Sequence, residues 1–421
     1  MSTVHNLFTE NELEAFTALL KEWPNSAFGN DDLEISVSPF LSFYFPYSPS
    51  EHLEKTLSMI DIHQTFERLT GAPYIIATHP VSERPYPYGS TKIPDLKILA
   101  STFKVDESFA FNFTDESNHN NSPTTAGYFW RSSTWDGINN NAYSSILLHY
   151  RWQWWLENRN AWRNFLFMAI EKLKPHQVYS GFAVANPLDF GSRPEASTWE
   201  RSLTVKFYGL DIEFPFGMRD ELMDGVRPPT WVFLLSNYWR EKLGLERDAV
   251  REALDHPQIS ITELKSGQWI ELGEQPELYP VEAGLPELPI LLNKIIRPIR
   301  HDDLGLVGFG QWSGDPNERF SDADAKRWIS RFDEENDWPC KRARFLSTQT
   351  FSINSIPTAM PAGSPCPMSG WWTTPAKLES RRFFNKGEVF PVIRSESAKG
   401  EIIWLWDSNQ GSVSLDGGTD A

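Results

Sequence analysis

YSSILLHYRWQWWLENRNAWRNFLFMAIEKLKPHQVYSGFAVANP, residues 143–187, decides the fold. It reads as strand, helix, strand. Ser144–Tyr150 suits a pleated surface. A helix follows over Trp152–Leu173 and stops before Pro175, which has no N–H to donate. Trp155, Trp162, Phe165, Leu166, Ala169, Ile170 and Leu173 recur at three- and four-residue steps, a stripe wide enough to cover a sheet. Gln177–Ala185 is the second strand. Trp152, Trp154, Trp155 and Trp162 are costly to leave wet, so the unit belongs to a core or an interface, and core is the plainer reading.

Upstream, residues 7–22 form a helix that Thr9 and Glu12 open with capping-box spacing. Residues 33–47 are a strand, and Ser48-Pro49-Ser50-Glu51 opens a helix that Gly71 can end in a left-handed turn. Residues 72–95 are proline-rich and irregular. Three runs, 96–105, 108–115 and 126–135, read as strands, and their succession implies antiparallel pairing under the helix at 152–173. Downstream come a strand at 230–237, helices at 238–243 and 247–254, and a hairpin over 259–274 hinged at Ser266-Gly267. A helix at 288–297, a strand at 305–312 and a helix capped by Ser321 complete this passage. Its order faintly echoes the first half, so two related halves and one continuous unit both stand.

Past Trp338 the composition changes. Residues 263–337 carry 16 acids and 8 bases, whereas residues 338–421 carry 7 acids and 9 bases. The expected organisation is a domain over 1–337, a Ser/Thr/Pro-rich linker over 338–366, a small β module over 367–410 and a frayed tail over 411–421. The fold class is α+β: mixed, mostly antiparallel sheets covered by helices, with a small all-β C-terminal module.

Composition narrows the function. The chain has 421 residues, 40% of them hydrophobic, and a formal net charge of −17, which argues against direct nucleic-acid binding. Two cysteines and no CxxC give no disulfide framework, the N-terminus has no signal-peptide pattern, and no apolar run is long enough to cross a bilayer. A cytoplasmic protein is expected. The chain contains no HExxH, GxSxG or P-loop motif. GFGQWSG at 308–314 lacks the third glycine of a nucleotide fingerprint, and His301-Asp302-Asp303 reads as a solvated turn before it reads as a metal site. Cys366, Glu388 and Asp407 would support a hydrolase only if they met in one pocket. Trp371, Trp372, Trp404 and Trp406 read as the core of the small module before a stacking platform. No enzyme, metal or cofactor is called for.

Order and spacing over some 200 residues then carry a resemblance. The Trp-rich helix with YSGFAVANP is followed by FYGLDIE at 207–213, PPTWVFLLSNYWREKLG, IELGEQPELYP and LPELPILLNKIIRPI. The series ends at Phe320–Phe332 with F-x-x-x-x-x-x-RW-x-x-RF. Residues 126–335 resemble the bacterial type VI secretion immunity family paired with VRR-Nuc nuclease effectors. The C-terminal Cys-Pro-x-Ser-Gly-Trp and Arg-Arg-x-Phe-x-x-Gly-Glu pattern is similar to a module of immunity-type proteins. The resemblance implies an antitoxin that binds and blocks a cognate nuclease effector, protecting the cell from itself and its siblings. An effector chaperone or adaptor, or immunity to a different nuclease toxin, is the alternative. The resemblance assigns no contact residue. Because nuclease clefts are basic, the acid-rich segment with Glu271, Glu274, Glu277, Glu282, Asp302 and Asp303 is the candidate effector-binding face, with Trp269 as aromatic anchor; a solvated loop face is the bland counterpart.

Overall fold

The computed structural model describes residues 8–29, 34–71, 73–134, 142–188, 193–306, 320–339, 359–367, 369–374, 380–392 and 403–406. In chain order the elements begin with α1 (Glu10–Glu22), β1 (Ala27–Gly29), β2 (Glu34–Phe45), α2 (His52–Thr70), β3 (Ile76–Thr78), β4 (Pro85–Pro87), α3 (Leu96–Ala100), β5 (Phe109–Thr114) and β6 (Ala126–Arg131). Next come β7 (Ser144–His149), α4 (Trp152–Leu173), β8 (Gln177–Val184), α5 (Arg193–Thr204), β9 (Leu210–Asp211), α6 (Pro215–Glu221) and β10 (Val232–Ser236). The series continues with α7 (Asn237–Leu243), α8 (Arg247–Ala253), β11 (Ile259–Leu264), β12 (Gly267–Leu272), α9 (Glu287–Ile296) and α10 (Asp322–Ile329). Last are β13 (Ala359–Pro361), β14 (Gly370–Thr373), β15 (Arg382–Phe384) and β16 (Ile403–Trp406). Two compact units divide the chain, Met1–Thr17 with Pro24–Ser347, and Ala18–Trp23 with Thr348–Ala421.

The larger unit is built on one twelve-stranded sheet, ordered β11-β12-β10-β8-β2-β7-β6-β5-β3-β4, with β1 added to β2 and β9 to β8. Both passages of the sequence therefore share a single sheet. Every pairing is antiparallel except β8 with β9. Side chains alternate across a strand, so each face has its own cover. On one face α4 lies over the centre: Trp152 meets Phe182 edge-on at 5.3 Å and Phe167 meets Trp269 at 5.9 Å. The whole predicted stripe of α4 is buried. Lys55 of α2 donates to the carbonyl of Leu173, where the helix dipole favours a cation. The other face carries Phe40, Tyr44, Tyr179, Phe233 and Ile270, packed with Met218, Trp239, Leu292 and Trp328 from the helices after β8. Between the faces, β2 has eleven of twelve residues buried, the pattern of a strand covered on both sides.

Several local readings hold. Thr9 and Glu12 form the reciprocal capping box, Gly71 ends α2 at φ 81°, and Ser321 accepts from the backbone N–H of Asp324. One is corrected: residues 96–105 are not a strand. Asp95 accepts hydrogen bonds from Lys97 N at 2.8 Å and Ile98 N at 3.0 Å, an N-cap that starts α3 in spite of the β-branched residues after it. The proline-rich stretch also holds more order than expected, in β3 and β4. In the smaller unit the sheet runs β13-β16-β14-β15 around a core of Cys366, Trp372, Phe384, Phe390 and Trp404. Its first strand falls inside the stretch expected to be linker, because the pairing of Ala359 with Leu405 is long-range and leaves no local pattern. Of the strand expected at 305–312, Gly305 and Leu306 lie in a bend and turn and residues 307–312 lie outside the described residues, as does the tail after 410.

A charged cluster sits inside the larger unit. Arg227, Glu213 and Arg331 have no exposed surface, and Asp211 is also buried. Arg227 pairs with Glu213, which also accepts from the Tyr44 hydroxyl, while Arg331 donates to Asp211 at 2.9 Å and to the carbonyl of Tyr208 at 3.0 Å. Gly181 makes room: a Cβ there would stand 2.8 Å from the Asp211 carboxylate. Burial pushes Arg331 down to about 10 and raises Asp211, whose arginine neighbours oppose that rise.

Arg227→Ala strands Glu213 in the interior and is expected to lose about 3–5 kcal/mol in urea unfolding, whereas Arg227→Met with Glu213→Leu recovers a large part. His149, wholly buried with Nδ1 2.9 Å from Ser38 Oγ, is held by burial down to about 3. The unfolded state therefore binds its proton first, and stability falls as pH drops from about 6.5 to 3. Urea unfolding of His149→Phe across that range should show a slope shallower by about one proton.

Candidate functional site

The sequence-derived acidic set divides in the structure. Glu271 points from β12 toward α4, where Arg163 pairs with it at 3.2 Å, so that carboxylate is already engaged. Glu274 and Gln275 follow in an exposed turn, and Arg159 of α4 donates to Gln275 at 3.2 Å while lying 4.4 Å over the Trp155 ring. Glu277 is exposed at the mouth of a narrow cavity it shares with Gly209, Asp211 and Tyr279, where partial desolvation raises its carboxyl. Glu282 is exposed on the 3-10 turn Val281–Ala283. Trp269 is not an anchor. With no exposed surface on β12, it is locked between the sheet and Phe167 of α4. Both faces of β12 are covered, so alternation along the strand exposes neither side.

Asp302 and Asp303 belong elsewhere, on an exposed turn next to α6. Gly217 and Gly305 meet backbone to backbone: a Cβ on Gly305, whose φ is 63°, would stand 2.4 Å from the Gly217 carbonyl oxygen. That approach sets the turn beside Asp220, Glu221 and Asp224. Glu221 records the crowding. Its carboxyl is raised first by partial burial, then by Asp303, with Asp220 and Asp224 adding to the effect and His301 opposing it. Next to these acids Phe216 is 58% exposed, with the Arg219 guanidinium 4.8 Å over its ring and 3.5 Å over that of Trp130. An exposed aromatic amid carboxylates is suited to meeting a basic protein surface. The run Met218–Asp224 was readable as acid-dense, but nothing local places it beside Asp302 and Asp303.

The residues weighed for chemistry do not assemble. His301 Nδ1 faces the backbone of Asp303, and among the described residues no three metal-ligating side chains gather. Cys366 is buried in the small core, whereas the Glu388 carboxylate accepts from Arg382 and from the Asn385 backbone. Asp407 and residues 308–314 lie outside the described residues. Trp372 and Trp404 are buried core, and Trp371 packs edge-on against Phe383 with Arg381 over its ring. Of the three tryptophans at the start of α4, Trp152 and Trp155 are buried and Trp154 donates to the carbonyl of Leu69 at 2.8 Å.

A broad sheet covered on both faces, with its buried charges paired, leaves runs of carboxylates on exposed turns. The chain belongs to the family described as type VI immunity for VRR-NUC, whose pattern matches residues 82–332, starting earlier than the stretch from 126 that first suggested it. It is an immunity protein of type VI secretion. A solved structure, the Pseudomonas aeruginosa T6SS protein PA0821, shares the fold: TM-score 0.64 at 17% identity, covering 76% of this chain and 91% of that one. A search of curated proteins found no match.

If the crowded carboxylates serve a partner and not the fold, Glu221→Gln should leave the melting temperature unchanged or raise it by about 1 °C. A fall of more than about 3 °C would mean that Glu221 holds the fold together.

Proposed function

We propose that this immunity protein is a non-enzymatic inhibitor that acts in the cytoplasm, where it binds a cognate secreted nuclease effector and protects the cell from its own toxin and that of its siblings. The family match across 82–332 carries the reading. Two properties support it: a net charge of −17, which favours a basic protein over a nucleic acid, and carboxylates presented on exposed turns. No described helix is long and apolar enough to cross a membrane.

The contact surface is proposed to be acidic. Glu274, Glu277 and Glu282 form one exposed run, and Asp302 and Asp303, joined by Asp220, Glu221, Asp224 and Phe216, form another. Glu271 contributes through its pairing with Arg163, and Trp269 contributes only as core. A nuclease cleft must be basic to hold DNA, so an acidic surface can cover it and speed encounter. The second run is the better anchor because it joins an exposed aromatic ring to the charge.

Co-expression with the effector encoded beside it should restore growth; growth no better than with effector alone sinks the inhibitor reading. In the purified pair at low salt, Glu274→Lys with Glu282→Lys, or Asp302→Lys with Asp303→Lys, should slow association about tenfold and flatten its salt dependence. If both double variants associate at the wild-type rate, the acidic surface is not the contact.

A further inference from the structure

The proline-rich stretch after Gly71 has no part in the reading above. With β3, β4 and the turn into α3 it folds against α2, and between them lies a cleft of about 370 Å³, within the size range of small-ligand sites. His63, Gln64 and Glu67 of α2 line one side; Tyr88, Asp95 and Phe113 are among the residues opposite.

The walls are aromatic. His63 stacks on Phe113 with ring centres 3.9 Å apart and planes 4° from parallel, and Tyr88 meets Phe113 edge-on at 5.4 Å. Two carboxylates are held in place around them. Glu67 accepts from the Tyr88 hydroxyl, and one oxygen of Asp95 is fixed by the first N–H groups of α3. Among the described residues no lysine or arginine lines the cleft: Lys97 is turned to Asp61 at 2.9 Å, and Lys92 lies 5.3 Å over the Tyr86 ring.

His63 adds an unsatisfied polar atom to these walls. It is 3% exposed, and its Nδ1 is buried with no hydrogen-bond partner. Its Nε2 lies 3.8 Å from a Glu67 oxygen. Burial holds the imidazole down to about 3, so it is neutral and carries one proton. Nε2 is the nitrogen near the carboxylate, and a proton there leaves Nδ1 of this cleft-lining ring a bare acceptor. A buried acceptor without a donor is costly, and a bound N–H group would satisfy it.

We propose that this cleft binds a small organic cation with N–H donors, a guanidinium or an ammonium group. Its charge meets Glu67 and Asp95, its N–H reaches Nδ1 of His63, and its face or edge rests on Tyr88 and Phe113. An anion would face two carboxylates, and a neutral apolar ligand would leave both carboxylates and Nδ1 unanswered. The same chemistry is carried by an arginine or lysine side chain on a partner protein and by a free polyamine.

The test is calorimetric titration of the full chain with N-acetyl-L-arginine methylamide, its citrulline counterpart and spermidine. Salt at about 0.2 M screens the net charge of −17 and keeps the cations from binding non-specifically. At least one of the two cations is expected to saturate, with the citrulline compound about tenfold weaker or silent, and Glu67→Gln should weaken the cation about tenfold with an unchanged melting temperature. Tighter binding of the arginine compound assigns a protein-borne side chain, and tighter binding of spermidine assigns a free amine. Failure of both cations to saturate, equal binding of the citrulline compound, or unaltered binding to Glu67→Gln overturns the proposal. Should Glu67→Gln fail to fold, the comparison of arginine with citrulline on the wild-type chain decides alone.

Discussion

Four ionised side chains held out of water constrain the larger unit more than any apolar contact does. Arg227, Glu213, Asp211 and Arg331 are all buried, and each would be strongly destabilising without its partner. Those partners come from different places. Asp211 lies on β9, Glu213 just beyond it, Arg227 before β10, and Arg331 after α10. Tyr44 on β2 and Tyr179 on β8 tie the group to the sheet through hydroxyls that meet Glu213 and the backbone N–H of Arg227. Other strand registers or helix dockings would leave a buried charge unmatched. The cluster acts as a check on assembly, which apolar packing, tolerant of small shifts, does not provide.

That check also explains why the surface can be used so freely. With the sheet covered on both faces, the turns after β12 and after α9 carry exposed carboxylates, and one of them, Asp303, also accepts from the Gly305 backbone N–H at 2.9 Å. Glu271 is the intermediate case, half scaffold through its pairing with Arg163. The crowding of Glu221 by Asp303 is mildly unfavourable for the isolated chain. A basic partner would turn it to advantage.

Much of the local structure was legible. The 3.6-residue stripe of α4, the Thr9–Glu12 and Ser321 caps and the hairpin of β11 with β12 are each encoded within one short, continuous stretch of chain. What the sequence concealed was relational. Nothing near residues 34–45 announces that they lie between β7 and β8, because strand pairing is set by partners a hundred residues away. Residues 96–105 look like a strand until the Asp95 side chain is allowed to bond the backbone ahead of it. Trp269 looked like an anchor because it stands among acids in sequence, yet the cover on both faces of β12 removes it from the surface. Of the candidate surface, the run from Glu274 to Glu282 could be read directly; the meeting of Asp302 and Asp303 with Glu221 depends on the contact between Gly217 and Gly305.

The position of β2 has a consequence for how this protein is made. The central strand, nearly all of it buried in the finished fold, leaves the ribosome before both its long neighbours, β7 and β8, which follow about a hundred or more residues later. At ordinary rates of synthesis, some 5–20 residues per second, that segment waits several seconds or longer without a partner, open to proteases and to mispairing. The central strand of the sheet therefore stays unpaired until β7 and β8 have been made.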